Sequence, residues 1–185
     1  IRLGSRHEIN VHSNHDESDW KVTLVNTGDN AMTGSRIKRV QPYVDTERFM
    51  VTYGDGVADI DIGRLVQRHA EVGTVGLVSG VHPSSRFGEL IIDGGDRVSV
   101  FSEKPQTTGG FINGGFFVFT RKFFDYLSAD EGCYLEREPL ENLAADGGLA
   151  VYRHDGFWQC MDTTREVDLL RQLWKSGQAP WKVWE

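Results

Sequence analysis

Cysteine is scarce in this chain, and the shortage excludes several classes of protein at once. The two cysteines, Cys133 and Cys160, lie far apart and in no C-x-x-C pattern. That argues against a disulfide scaffold and suits a reducing compartment such as the cytoplasm. No apolar run is long enough to span a bilayer, and no signal-peptide pattern opens the chain. Basic residues are outnumbered, 20 Lys and Arg against 27 Asp and Glu, for a net charge of −7. This gives no electrostatic case for binding nucleic acid or an anionic membrane, although a local Lys or Arg can still serve an anionic substrate. No G-x-G-x-x-G follows a predicted strand, which argues against a dinucleotide-dependent dehydrogenase. His7, His12 and His15, with Asp16 and Glu17, match no zinc spacing and read as a solvated loop. No internal repeat or low-complexity segment is present.

What is there suits one globular domain spanning residues 1–185, with 39% hydrophobic and 25% charged residues. Trp20 to Val25 alternates and is β-branched, as a strand does. Thr33-Gly34-Ser35 leads into a helix over Arg36 to Val40, whose free N–H groups could take a phosphate or could simply be capped. Asp61 has the place of an N-cap for a helix that Gly73 ends. Thr74 to Val81 is the next strand. Pro83 to Gly88 is a turn. Glu89 to Ile92 and Val98 to Phe101 flank a hairpin-like Asp93-Gly94-Gly95-Asp96. Phe111 to Phe119 is a strand interrupted by glycines, which predicts a bulge or the close approach of a ligand. Arg121 to Leu127 and Glu138 to Asp146 are helical, Ala150 to His154 is a strand, and Val167, Leu170 and Trp174 mark one face of a last helix. The alternation of strands and helices predicts an α/β fold with a mostly parallel central sheet.

The stretch Phe49 to Asp59 organises the chain. Five nearly all apolar residues run into Gly54-Asp55-Gly56, which predicts a strand buried on both faces with Asp55 at its carboxyl end. Ligands of open α/β sheets bind at that rim. Asp55 could be a turn former or a ligand for a hard cation such as Mg²⁺. Asp162 also follows an apolar run, and could share that cation or cap the following helix. Lys104 could hold a phosphate or be a solvated lysine, and Glu103 could accept from sugar hydroxyls.

Four segments occur in order: Thr52-Tyr53-Gly54-Asp55-Gly56-Val57-Ala58-Asp59, Glu103-Lys104-Pro105, Ile112-Asn113-Gly114-Gly115-Phe116-Phe117, and Gly156-Phe157-Trp158-Gln159-Cys160-Met161-Asp162-Thr163. Together with the tail Pro180-Trp181-Lys182-Val183-Trp184, they resemble the bacterial glucose-1-phosphate cytidylyltransferases, of the sugar-phosphate nucleotidyltransferase superfamily. The resemblance covers nearly the whole chain. It implies a Rossmann-like nucleotidyltransferase fold and a reaction of CTP with α-D-glucose 1-phosphate to give CDP-glucose and pyrophosphate, feeding dideoxyhexose synthesis for surface polysaccharide (lipopolysaccharide O-antigen). It implies Mg²⁺ as cofactor, held by Asp55 and Asp162. By the same resemblance Lys104 holds the sugar phosphate, and Glu103 reads sugar hydroxyls. Gly88, Asn113 and Gly114, with Glu136 and Glu138, lie on the sugar side, and Gly34 and Gly54 on the nucleotide side. A homo-oligomer is implied as well, with the aromatic tail either at a subunit contact or folded back on its own domain.

The family opens with a strand, a Gly-rich Arg-containing loop that cradles the triphosphate, and a Lys-Pro segment. Nothing in Ile1 to Val25 matches these. The chain is therefore expected to lack the N-terminal βα units, either as a fragment or by their being unseen. Base choice rests on overall likeness, so dTTP or UTP in place of CTP and a non-catalytic sugar-nucleotide-binding module are the competing expectations.

Overall fold

The computed structural model describes residues 20–83, 89–92, 98–102 and 110–184. Gly88, Glu103 and Lys104 lie outside the described residues, as do the His7–Glu17 stretch and the turns expected at Pro83–Gly88, beyond Pro83 itself, and at Asp93–Asp96.

In chain order the elements are α1 (Thr33–Val40), β1 (Arg48–Thr52), β2 (Gly56–Ala58), α2 (Ile62–Val72), β3 (Gly76–Val81), β4 (Glu89–Ile92), β5 (Val98–Ser102) and β6 (Ile112–Thr120). A 3-10 stretch follows (Arg121–Tyr126), then α3 (Glu138–Ala145), β7 (Leu149–His154), β8 (Trp158–Cys160) and α4 (Thr164–Lys175). The main sheet has the order β1-β6-β3-β7. β1 and β3 each pair antiparallel with β6, and β3 pairs parallel with β7, so three of these four strands run one way and β6 runs against them. Two antiparallel ribbons, β2/β8 and β4/β5, complete the described strands. The α/β class expected from the alternation of elements is what forms.

Alternation along β6 divides the core between the two faces of the sheet. Phe117 and Phe119 point to one face. There they join Phe123, Phe124, Leu127, Leu135 and Leu143, with Ile37 of α1 and Leu140 of α3 packed alongside. The Phe119 and Phe123 rings stack with centroids 3.7 Å apart. Val118 points to the other face with Leu77, Val81, Leu65 and Ile60. α2 covers that face. Asp61 caps it by accepting from the Arg64 N–H at 2.9 Å, and Gly73 ends it in the left-handed region at φ 68°.

β1 differs from its expectation. Phe49, Val51 and Tyr53 pack into the aromatic cluster, but Met50 on the opposite face is 44% exposed. α2 lies over β3, β6 and β7. Among the described residues β1 pairs only with β6. Its apolar run is thus half-buried rather than covered on both faces. The most buried strands are β3 and the centre of β6. Trp20 to Val25 also departs from its pattern. It forms no strand, and Trp20 is 72% exposed, because no strand edge among the described residues pairs with it. Phe119→Ala is expected to cost about 3–5 kcal/mol, whereas Met50→Ala costs less than about 1 kcal/mol; urea denaturation of the two variants measures the contrast.

Candidate active site

The strand directions bring one rim together. It consists of the carboxyl ends of β1, β3 and β7 and the amino end of β6. Thr52 pairs with Phe116 and Val81 pairs with both Ile112 and His154, so Asp55, Asn113, Gly114, His82 and Asp155 all fall beside this rim.

The β2/β8 ribbon carries the two candidate metal ligands. Gly56 pairs with Cys160, and one step further the Met161 N–H donates to the Asp55 carbonyl at 2.8 Å. Asp55 precedes β2 and Asp162 follows β8. Because the ribbon is antiparallel, both sit at the same end, and both are exposed. Asp162 does not cap α4. Thr163 does, accepting from the Glu166 N–H at 3.3 Å while Glu166 accepts from the Thr163 N–H at 2.9 Å. Asp162 is left free of that structural duty.

The Asp162 carboxylate, the Cys160 thiol and the Glu166 carboxylate lie within 4.8 Å of one another. Burial, the Glu166 charge and Asp162 itself push the Cys160 thiol above the ordinary range, so it stays neutral. A neutral thiol is a poor ligand for a hard ion, whereas exposed carboxylate oxygens suit one such as Mg²⁺. The donor set at this end of the ribbon therefore fits a hard divalent cation.

At the start of β6 the glycines permit close approach. The Trp158 indole N–H donates to the Gly114 carbonyl at 2.9 Å. A Cβ on Gly114 would lie 2.6 Å from both Ser79 Oγ and Val81 Cγ1. Gly115 has φ 82°, and a Cβ there would meet the Tyr53 ring at 2.7 Å. The ladder between β3 and β6 shifts register between Val78 and Gly80. The bulge expected from the glycines is present.

A polar network crosses this gap. Tyr53 donates its hydroxyl proton to Glu136 Oε1 at 2.6 Å and accepts from Asn113 Nδ2 at 3.0 Å. The Thr33 hydroxyl donates to Glu136 Oε2 at 2.9 Å and accepts from the Leu135 N–H at 2.9 Å. Burial and the Glu136 carboxylate push the Tyr53 phenol well above the ordinary tyrosine range, so it remains protonated. Glu136 thus stands with Asn113, while Glu138 lines a separate cleft of about 320 Å³ with Tyr126 and Cys133. Gly34 is buried, and a Cβ on it would lie 2.7 Å from Cys133 Sγ. Ser35, beside it, donates its backbone N–H to the Cys133 carbonyl and its hydroxyl toward Met32 and Glu131 carbonyls. The first turn of α1 is therefore bound into the 131–135 segment. Gly54 is exposed, with open space where a Cβ would stand.

Sequence reasoning missed several residues at this rim. Tyr53 was hidden as the last member of an apolar run, and its Gly-Asp-Gly neighbour was the available signal. Thr33 had only its place at a helix start. His154, whose Nε2 lies 2.8 Å from Asp59 Oδ1, and His82, whose Nε2 lies 3.2 Å from Asp155 Oδ1, carried no spacing signal at all. The aromatic tail folds back in part, with Trp181 beside Phe157 at 5.5 Å and Trp184 beside Trp174 at 6.4 Å, while Val183 and Trp184 remain exposed.

Comparison with known proteins shows what the chain as a whole is similar to. The sequence model of the nucleotidyl transferase family matches residues 6–163. The chain is 46% identical over 182 residues to glucose-1-phosphate cytidylyltransferase of Salmonella typhi, covering 98% of this chain and 70% of that protein. It is 44% identical over 165 residues to a probable glucose-1-phosphate cytidylyltransferase of Bacillus subtilis, covering 89% of this chain and 64% of that one. In structure it is similar to HddC from Yersinia pseudotuberculosis, with TM-score 0.57 and 20% identity over 77% of this chain and 62% of the other. That last likeness concerns the fold alone. The chain thus spans about two thirds of the length of the proteins it matches.

Two of the rim glycines, Gly114 and Gly54, differ in what they tolerate. Gly114→Ala forces Ser79 or Val81 aside and is expected to cost about 1–3 kcal/mol, whereas Gly54→Ala meets nothing and stays within about 0.5 kcal/mol; urea titration followed by tryptophan fluorescence measures both.

Proposed function

The chain belongs to the nucleotidyl transferase family, and we propose that the protein carrying it transfers a cytidylyl group from CTP to α-D-glucose 1-phosphate, giving CDP-glucose and pyrophosphate. The observation that carries this proposal is the likeness, over nearly the whole chain, to relatives named for that reaction. The common placement of Asp55 and Asp162 at one end of the β2/β8 ribbon supports it.

The chemistry asks little covalent work of side chains. An oxygen of the sugar phosphate forms a bond to the α-phosphorus of the nucleotide. The bond from that phosphorus to the oxygen bridging the β-phosphoryl group breaks, and its electron pair leaves with pyrophosphate. The attacking phosphate is already ionised, so no general base is required. Positioning and charge neutralisation supply the rate. Asp55 and Asp162 would hold Mg²⁺, which when bound offsets charge on the phosphate oxygens. By the resemblance, Lys104 would supply a point charge to the sugar phosphate. Asn113, Gly114 and Glu136 form the sugar side, to which the resemblance adds Glu103 and Gly88, with Glu138 more remote in its own cleft. Gly54 lets the nucleotide approach the turn, and by the resemblance Gly34 would give the nucleotide a backbone contact.

Two features of the surroundings belong to the same proposal. The unpaired cysteines fit a cytoplasmic site of action. Exposed Val183 and Trp184 suit a contact between copies in a homo-oligomer. On the family resemblance we further propose that the CDP-glucose feeds lipopolysaccharide O-antigen synthesis.

Pyrophosphate release by the full-length protein, with glucose 1-phosphate, Mg²⁺ and each of CTP, dTTP and UTP, tests the proposal. CTP-dependent release is expected, and preference for dTTP or UTP would overturn the base assignment. Asp55→Asn is expected to lower turnover on the order of a hundredfold or more with the melting temperature little changed. An active Asp55→Asn protein would remove Asp55 from the metal site.

A further inference from the structure

Asn113 and Glu136 come from different elements, β6 and the segment before α3, and one oxygen atom joins them. That atom is the Tyr53 hydroxyl, 3.0 Å from Asn113 Nδ2 and 2.6 Å from Glu136 Oε1. We infer that Tyr53 is a positioning residue that presets, through Asn113 and Glu136, the surface reading the hydroxyls of the sugar phosphate. The inference rests on the sugar-phosphate reading proposed above and names a residue beyond it.

The donor and acceptor inventory carries the case. Gly115 donates its N–H to Asn113 Oδ1 at 2.9 Å, which fixes the amide with its nitrogen toward Tyr53. One of the two amide N–H groups then binds the phenol and the other is left for a ligand. Each Glu136 oxygen accepts one hydrogen bond, from Tyr53 or from Thr33, and each retains a lone pair. Both residues are exposed at the rim. The surface therefore offers a donor beside an acceptor. Neighbouring hydroxyls of a hexose, each able to donate and accept, are complementary to that pair.

Tyr53 can do this because its own backbone and ring are packed in place. Its N–H donates to the Gly115 carbonyl at 3.0 Å, its ring meets Phe117 edge-on at 5.7 Å, and its side chain fills the space that Gly115 leaves. Geometry fixes the sense of both bonds, because the Asn113 amide nitrogen can only donate to the phenol oxygen and the Glu136 carboxylate can only accept from it. Without the phenol a long glutamate side chain and a rotatable amide would have to be ordered at the moment of binding, which weakens affinity. Asp55 lies two residues on, so the sugar-reading pair is registered to the turn that bears the metal ligand.

The test uses the full-length protein as wild type, Tyr53→Phe, Asn113→Ala and the double variant. Tyr53→Phe keeps the ring and removes only the hydroxyl. The KM for glucose 1-phosphate is expected to rise about tenfold, with kcat and the KM for CTP within about twofold. Discrimination against galactose 1-phosphate and mannose 1-phosphate is expected to fall. In the Asn113→Ala background, Tyr53→Phe is expected to add less than it does alone, because both changes disable one unit. Calorimetric titration with glucose 1-phosphate checks the binding loss apart from turnover. Unchanged Tyr53→Phe kinetics, fully additive effects, or an equal rise in both KM values with a lowered melting temperature would each overturn the inference. Wild-type protein with no glucose 1-phosphate-dependent turnover would overturn the functional proposal itself, before any variant is compared.

Discussion

Between β1 and β3 the central strand carries no side chain for two residues, Gly114 and Gly115. The rim depends on that gap. Through it the Tyr53 ring reaches Asn113, Ser79 reaches the Phe116 N–H at 3.2 Å, and the Trp158 indole reaches the Gly114 carbonyl. Any Cβ in the gap would enter Ser79, Val81 or Tyr53. Close backbone approach is thus converted into polar positioning. The hydrophobic weight of the fold sits further along the same strand, at Phe117, Val118 and Phe119. One strand therefore anchors the core with its second half and builds the rim with its first.

The chain has a net charge of −7, and its exposed rim residues include Asp55, Asp162 and Glu136. A site of that sign repels phosphate unless cations offset it. That is the chemical case for the proposal that Asp55 and Asp162 hold a divalent ion there. Glu136 is different. Both its oxygens are already engaged, by Tyr53 and Thr33, which suits a group that meets sugar hydroxyls rather than phosphate.

The ribbon β2/β8 shows how short elements can matter. Each strand has only three residues, too few to be stable alone. The Asp59 N–H donates to the Phe157 carbonyl at one end of the ribbon, and the Met161 N–H to the Asp55 carbonyl at the other. Trp158, packed against the core face beneath α2, ties the ribbon to the sheet. Two carboxylates 107 positions apart in sequence are thereby held one residue from each other in register.

Local chemistry alone sufficed for much of this. Asp61 and Gly73 bounded α2, the glycines of β6 announced the bulge, and the Gly-Asp-Gly turn marked Asp55, because caps, turns and positive φ depend on residues a few positions away. Burial of β1 and pairing of Trp20–Val25 were not decided that way. An apolar or alternating run states what a strand could cover, not which neighbour covers it, and α2 lies over β3, β6 and β7. Thr163 rather than Asp162 took the cap of α4, a choice between adjacent residues that only backbone geometry makes. The sequence by itself determined the α/β class and most element types. Tertiary structure alone decided that Tyr53 would join Asn113 to Glu136, since those three meet across separations of 60 and 83 residues, which no local pattern encodes.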